Sequence, residues 1–295
     1  MRKFCIYLLK LLIVIIACLY ILDYSYSYVY KNRNPRTKIS YLLSQKNKEI
    51  DYLFIGSSRV DNGIDPEIIT SETGHSALNL GIQGGSVEDY LLMLKLVEFC
   101  KIKTKKIFVQ IDFSYNSNNY SDIINSMLIP YIDDPFVYSE LKRRQPNAWF
   151  LRYIPFYKYM VFDYKIGFRE FFSTLINKKT RTSMESGYYP LYRNLKREGG
   201  LPKTIISKNV AFESIKGLVK KNKWNVVYYT APICIEATNK NYLTKLEEKI
   251  PKLVNLASVF NNKPEYFHDC THLVDAGAKA FTKIMVDKFI ENTDK

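Results

Sequence analysis

Phe4 to Leu22 is an apolar run of 19 residues interrupted by one charge, Lys10. At about 1.5 Å rise per residue, a helix of that length crosses roughly 28 Å, close to the hydrocarbon thickness of a bilayer. Lys10 lies about two turns in, within snorkelling reach of the N-terminal interface. Tyr24, Tyr26, Tyr28 and Tyr30 follow, an aromatic cluster of the kind found at headgroup depth. The run is longer than a usual signal-peptide core. A signal anchor is therefore favoured over a cleaved signal peptide. Ile15-Ile16-Ala17-Cys18 resembles a lipobox and keeps a lipoprotein signal open, although the apolar run continues past Cys18. Flanking charges do not decide the orientation. Arg2 and Lys3 favour a cytoplasmic N-terminus, while Lys31, Arg33, Arg36 and Lys38 argue the reverse.

The rest of the chain has to supply the fold. Of 295 residues, 47% are hydrophobic and 15% aromatic, too apolar for a disordered chain. Five cysteines are too few for a disulfide framework. A histidine-dependent mechanism has only His75, His268 and His272 to draw on. Residues 1–30 read as the anchor and 31–48 as a juxtamembrane linker with a short helix. From residue 49, strand and helix signals alternate, which indicates an α/β class with a parallel sheet. Tyr52–Ile55, Ala77–Leu80, Lys106–Ile111 and Asn225–Tyr229 are short apolar runs suited to buried strands. Helices are expected from Glu88 to Cys100 with Ser86 as N-cap, from Tyr242 to Leu256 with a bend at Pro251, and from Asp275 to Glu291 with Asp275 as N-cap.

The alternation stops between the third and fourth strands, at about 115–222, where the chain reads as a largely helical insertion. Phe136 to Asn225 holds 19 Lys/Arg and 6 Asp/Glu, so most of the net charge of +14 comes from here. Trp149 to Phe172 within it is dense in rings. One reading is a core-facing aromatic stripe with a solvated basic face. A second is a surface for anionic headgroups or a membrane partner. Nucleic acid is not expected as a partner, because no binding motif accompanies the charge.

Two segments carry chemistry. In Gly56-Ser57-Ser58-Arg59 a strand ends at glycine and runs into consecutive serines, at the place where open α/β sheets bind ligands. Gly56 allows a sharp turn there. The structural alternative is a polar turn with either serine as a helix N-cap. In Asp269-Cys270-Thr271-His272 the three-residue spacing lets a carboxylate hold one imidazole nitrogen while the other acts as base.

Together these segments resemble the SGNH (GDSL-like) hydrolase superfamily. Its Gly-x-Ser block is matched by Gly56-Ser57-Ser58, its Asn-x-Gly-x-x-Gly block by Asn79-Leu80-Gly81-Ile82-Gln83-Gly84, and its Asp-x-x-His block by Asp269 to His272. The resemblance covers roughly Asp51 to Leu94 and Pro264 onward, and implies a flavodoxin-like three-layer fold. It implies a Ser-His-Asp acyl transferase or ester hydrolase needing no cofactor and no metal. Ser58 is the nucleophile, with Ser57 as the alternative, His272 the base and Asp269 its orienter. The backbone N–H groups of Ser58 and Gly84 form the oxyanion hole. The family's Gly-x-Asn-Asp block is replaced by Gln110-Ile111-Asp112-Phe113, and an ionised Asp112 cannot donate to an oxyanion. Arg59, Asn79 and Asp112 are candidate substrate contacts.

The Gly-Ser-Ser-Arg form after an N-terminal membrane helix is similar to the branch tied to cell-envelope polysaccharide modification, which includes alginate O-acetylation proteins and the D-alanyl transfer protein of teichoic acids. That resemblance implies a single-pass protein of the cell membrane, N-terminus cytoplasmic and domain extracytoplasmic. Its expected partners are a multispanning membrane acyltransferase, an acyl donor and an envelope glycan. The expected function is O-acyl transfer to that glycan. An esterase or deacetylase and a non-catalytic scaffold of the same fold are the alternatives. His268-Asp269-x-x-His272 also resembles a zinc signature superficially, without a third ligand.

Overall fold

The computed structural model describes residues 1–195 and 199–290. The elements in chain order are α1 (Arg2–Asn32), α2 (Lys38–Ser44), β1 (Tyr52–Ile55), α3 (Ser58–Asp61), α4 (Pro66–Thr73), β2 (Ala77–Asn79), α5 (Val87–Phe99) and β3 (Lys106–Gln110). Six short helices follow: α6 (Asp122–Leu128), α7 (Pro135–Arg144), α8 (Ala148–Tyr153), α9 (Tyr157–Val161), α10 (Asp163–Ile166) and α11 (Phe168–Leu175). The chain then runs through α12 (Val210–Asn222), β4 (Val226–Thr230), α13 (Asn241–Lys249), β5 (Val254–Asn255) and α14 (Asp275–Phe289). It forms two compact units, Met1–Ser40 with Asp122–Lys179, and Tyr41–Ser121 with Thr180–Lys295.

The second unit is an α/β domain. Its five strands are all parallel in the order β2-β1-β3-β4-β5. This is the flavodoxin-like order, whose direction reverses between β1 and β3. Every residue of β1 and β3 is buried, as a sheet covered on both faces requires. Because the crossover to β2 runs one way and those to β3 and β4 the other, right-handed connections put α4 and α5 on opposite faces. Accordingly α14 packs on α4 and α12 on α5, giving three layers. Phe54 of β1 stacks on Phe108 of β3, ring centroids 4.6 Å apart, at the centre of the sheet.

The caps follow local chemistry. Ser86 and Asp89 form a reciprocal capping box at the start of α5. Two expected boundaries move. The helix expected to bend at Pro251 stops at Lys249, because Ile250, preceding a proline, is extended, and the chain passes into β5. The N-cap of α14 is Val274, with Asp275 in the first turn, and the expected end at Glu291 lies outside the described residues.

The first unit is helical. The apolar run lies in α1, a helix long and apolar enough to cross a membrane, with none of its most apolar window buried. The helix continues through the tyrosine cluster, and a helical turn splits that cluster by face. Tyr24 and Tyr28 stack together on the exposed side, while Tyr26 is buried against Phe156, Tyr159 and Phe171. Of the stretch 115–222, residues 122–179 lie in this unit, whereas α12 belongs to the sheet domain.

Candidate active site

The C-terminal ends of β1, β3 and β4 converge on one cluster in the α/β domain. β1 ends at Ile55, and Gly56 follows where no side chain fits. A Cβ there would stand 2.4 Å from Val60 Cγ2 and 2.8 Å from Gln110 Oε1. Close packing, rather than a sharp turn, therefore calls for glycine. Ser57 caps α3 by accepting from the Arg59 N–H. Its hydroxyl and its backbone N–H both donate to Gln110 Oε1, at 3.1 and 3.2 Å. Ser57 is thus buried and committed to structure. Ser58, the first residue of α3, is half-buried, and its Oγ lies 2.8 Å from His272 Nε2.

The other half of the cluster comes from the loop before α14. His272 Nδ1 lies 2.9 Å from Asp269 Oδ2. Asp269 Oδ1 also accepts from the backbone N–H groups of Thr271 and His272, at 2.7 and 2.9 Å. Burial alone would raise the Asp269 carboxyl. The bond to the His272 ring, the Thr271 N–H and the nearby imidazole outweigh it and hold the group well below the usual carboxylate range. An ionised Asp269 only accepts, so Nδ1 carries the proton and Nε2 is left to accept from the Ser58 hydroxyl. The arrangement has the connectivity needed for removing a proton from Ser58 Oγ.

Arg59, Asn79 and Asp112, expected as substrate contacts, are buried and bonded within the protein. The Arg59 guanidinium pairs with Asp112 and donates to the carbonyls of Thr271, Ala231 and Pro232. One side chain thereby ties the serine turn to the ends of β3 and β4 and to the histidine loop. Asn79 Nδ2 donates to the Val60 and Ile64 carbonyls at 2.6 and 2.7 Å, and its Oδ1 accepts from Gly81 N–H. It holds the turn of α3 in place. Gly81 is wedged against that turn, since a Cβ there would lie 2.3 Å from Asp61 N. Gly84 is exposed, with φ of 65° and open space around its missing Cβ. His268 Nδ1 bonds to the Arg193 carbonyl, and His75 stands beside Asp51 and Tyr52, apart from the Ser58–His272 pair.

Three contributors escape a reading of local sequence. Gln110 links Ser57 to Asp112. Cys234, beyond β4, forms a disulfide with Cys270, inside the Asp-x-x-His block. The segment 186–195 crosses the histidine loop, with Asn194 Nδ2 donating to the Phe267 carbonyl at 2.8 Å and Leu195 N–H to that of His268 at 2.5 Å. A cleft of about 510 Å³ opens beside Asp269 and Thr271, walled by Phe113, Leu201 and Pro202. Cys270 is visible within the Asp-x-x-His block, but nothing local names its partner, 36 positions away.

No protein-family model matches the chain, and no curated protein matches it. Among solved structures, the chain is similar to one from Streptococcus pneumonia whose description provisionally names it a platelet activating factor. The identity is 14% and the TM-score 0.39, over 95% of this chain and 97% of that one.

Proposed function

We propose that the protein is an SGNH-like serine acyltransferase of the cell envelope, anchored by α1, that moves an acyl group, most simply acetyl, onto an envelope polysaccharide. The observation that carries the reading is the relay Ser58 Oγ–His272 Nε2 at 2.8 Å and His272 Nδ1–Asp269 Oδ2 at 2.9 Å, standing beyond the C-terminal end of β1. The three sequence blocks that resemble the SGNH superfamily meet at this cluster.

In this reading Ser58 Oγ attacks the donor's acyl carbonyl while His272 Nε2 takes its proton. The oxyanion lies against the N–H groups of Ser58 and Gly84. Collapse of the tetrahedral species breaks the bond to the donor's leaving group, which departs with the proton from His272. That leaves an ester on Ser58. His272 then removes the proton of a sugar hydroxyl, whose oxygen attacks the ester, and the returning proton restores Ser58.

The apolar α1 supports a membrane location; the resemblance, and not the flanking charges, is what favours a cytoplasmic N-terminus with the α/β domain outside. The Cys234–Cys270 disulfide suits an oxidising compartment. A multispanning acyltransferase would deliver the acyl group across the bilayer. Such an anchor favours transfer over plain hydrolysis, which needs only water.

A fluorophosphonate probe separates an enzyme from a scaffold: it should label wild type and spare Ser58→Ala. No labelling of wild type would leave the scaffold reading. Deleting the gene should then remove ester-linked acyl groups from the envelope polysaccharide, restored by wild type and not by Ser58→Ala. A rise in acylation on deletion would make the protein an esterase. A reporter fused after Lys295 should be active only as a type that folds outside the cytoplasm.

A further inference from the structure

The helical unit holds apolar surface that its own packing does not explain. In α8 to α11 and the residue after, Trp149, Phe150, Met160, Tyr164, Phe168, Phe172 and Ile176 are all exposed, Phe168 and Ile176 to 67%. Soluble monomers rarely leave so many large apolar side chains in one short stretch uncovered. Basic residues are interleaved with them. Residues 136–179 contain nine Lys/Arg against three Asp/Glu, and Arg152 lies over the Tyr138 ring at 4.3 Å.

Where these helices attach to α1 identifies what covers them. Asp23 is the first charged residue after the apolar run that ends at Leu22. Its carboxylate accepts from the Phe156 N–H at 2.8 Å and from Lys158 Nζ at 2.7 Å. Tyr26, one turn on, stacks on Phe171 with centroids 4.1 Å apart. The Ser27 hydroxyl bonds Tyr159 Oη at 2.8 Å, and Tyr30 Oη donates to the Ile166 carbonyl at 2.9 Å. Among the described residues, the hydrogen bonds and ring stacking that tie these short helices to α1 run from Asp23 to Tyr30. Asp23 lies one residue, about 1.5 Å of rise, beyond Leu22. Groups bonded at its level stand at the boundary between acyl chains and headgroups if Phe4 to Leu22 fills the hydrocarbon layer.

We propose that α8 to α11 form an interfacial seat, which lays its exposed rings into the headgroup zone of the leaflet from which α1 emerges. The occupant of the face is the phospholipid bilayer itself. The seat is joined to α1 immediately past the spanning run, at Asp23, and its aromatic and basic composition is that of segments lying about 5–10 Å deep in the interface. The seat holds the exit of α1 rigidly at the membrane, so that α1 is more than a tether. This inference rests on the membrane anchor proposed above and not on the chemistry of Ser58.

The test uses the full chain reconstituted into vesicles of phosphatidylcholine with a minority of phosphatidylglycerol. The protein has two tryptophans, so Trp224→Phe leaves Trp149 as the sole emitter. Lipids brominated near the top of the acyl chain should remove most of its emission, and aqueous iodide little. The reverse pattern in protein that resists carbonate extraction would overturn the seat while leaving the anchor standing. Shielding from both quenchers would mean that another protein or a second copy covers the face, and would overturn the bilayer as occupant. Release of the protein by carbonate would overturn the anchor and the seat together. Phe168→Trp in a Trp149→Phe, Trp224→Phe background repeats the measurement from α11 and should give the same result, so a local fault at position 149 cannot decide the outcome. Fluorophosphonate labelling of the same vesicles reports separately on Ser58.

Discussion

Arg59 Nε donates to the carbonyl of Thr271 at 2.9 Å, so the residue after the serine grips the residue before the histidine. The same guanidinium is paired with Asp112, and both side chains are fully enclosed. Breaking such a pair leaves an unpaired buried charge, which costs about 3–5 kcal/mol. Arg59→Met should lower the unfolding free energy in urea by that order and slow probe labelling of Ser58. Arg59→Lys keeps the charge and loses the planar fork, and should fall between the two. An Arg59→Met protein as stable as wild type would show that the ion pair does not anchor this corner.

Ser58→Ala and His272→Ala should each lower acyl turnover by about 10⁴-fold or more, and the double variant should be hardly worse, because the residues act as a unit. Ser57→Ala is the control. It removes an N-cap and a bond to Gln110, with an expected stability cost of about 1 kcal/mol, and should still be labelled at Ser58. Labelling that moves to Ser57, or that persists in Ser58→Ala, would assign the wrong serine. Full activity in His272→Ala would remove the base.

The disulfide closes a loop across a sequence separation of 36 residues. Replacing both Cys234 and Cys270 by alanine should cost about 2–4 kcal/mol of stability. It should also slow labelling, because Cys270 lies between Asp269 and His272. Thermal melts with and without reductant check this. Identical melts would mean that the bond is not part of the native protein.

Asp269 titrates lower in the folded chain than in the unfolded one. A depressed carboxyl contributes stability that is complete above the unfolded value, about 3.9, and is lost as pH falls through it toward the folded value. The stability gap between wild type and Asp269→Asn should therefore be constant near neutrality and narrow below about pH 4. Urea midpoints from pH 7 to pH 3 measure it, and a gap that widens on acidification contradicts the assignment.

Much of the candidate site was legible because its parts are local. Gly56, Ser58, Asp269 and His272 each belong to a short block beside an expected element, and the blocks meet at the switch point of the sheet. Arg59 and Asp112, expected as substrate contacts, pair with each other; sequence shows a charge and not its partner. They lie 53 positions apart, and only the pairing of β1 with β3 brings them together. Asn79 is a similar case, since its neighbours Val60 and Ile64 arrive from the preceding turn.

The sequence by itself determined what depends on near neighbours: an apolar helix of spanning length, short buried strands in alternation with helices, and the spacing that lets Asp269 reach His272. Tertiary structure alone decided what depends on distant ones. It put His272 within hydrogen-bond reach of the Ser58 hydroxyl and Gln110 within reach of that of Ser57. It joined Cys234 to Cys270, and it divided the tyrosines of α1 between a buried face and an open one. The physical reason is range. Periodicity and capping act within a few residues along the chain, whereas burial and pairing are set only once separate segments have packed.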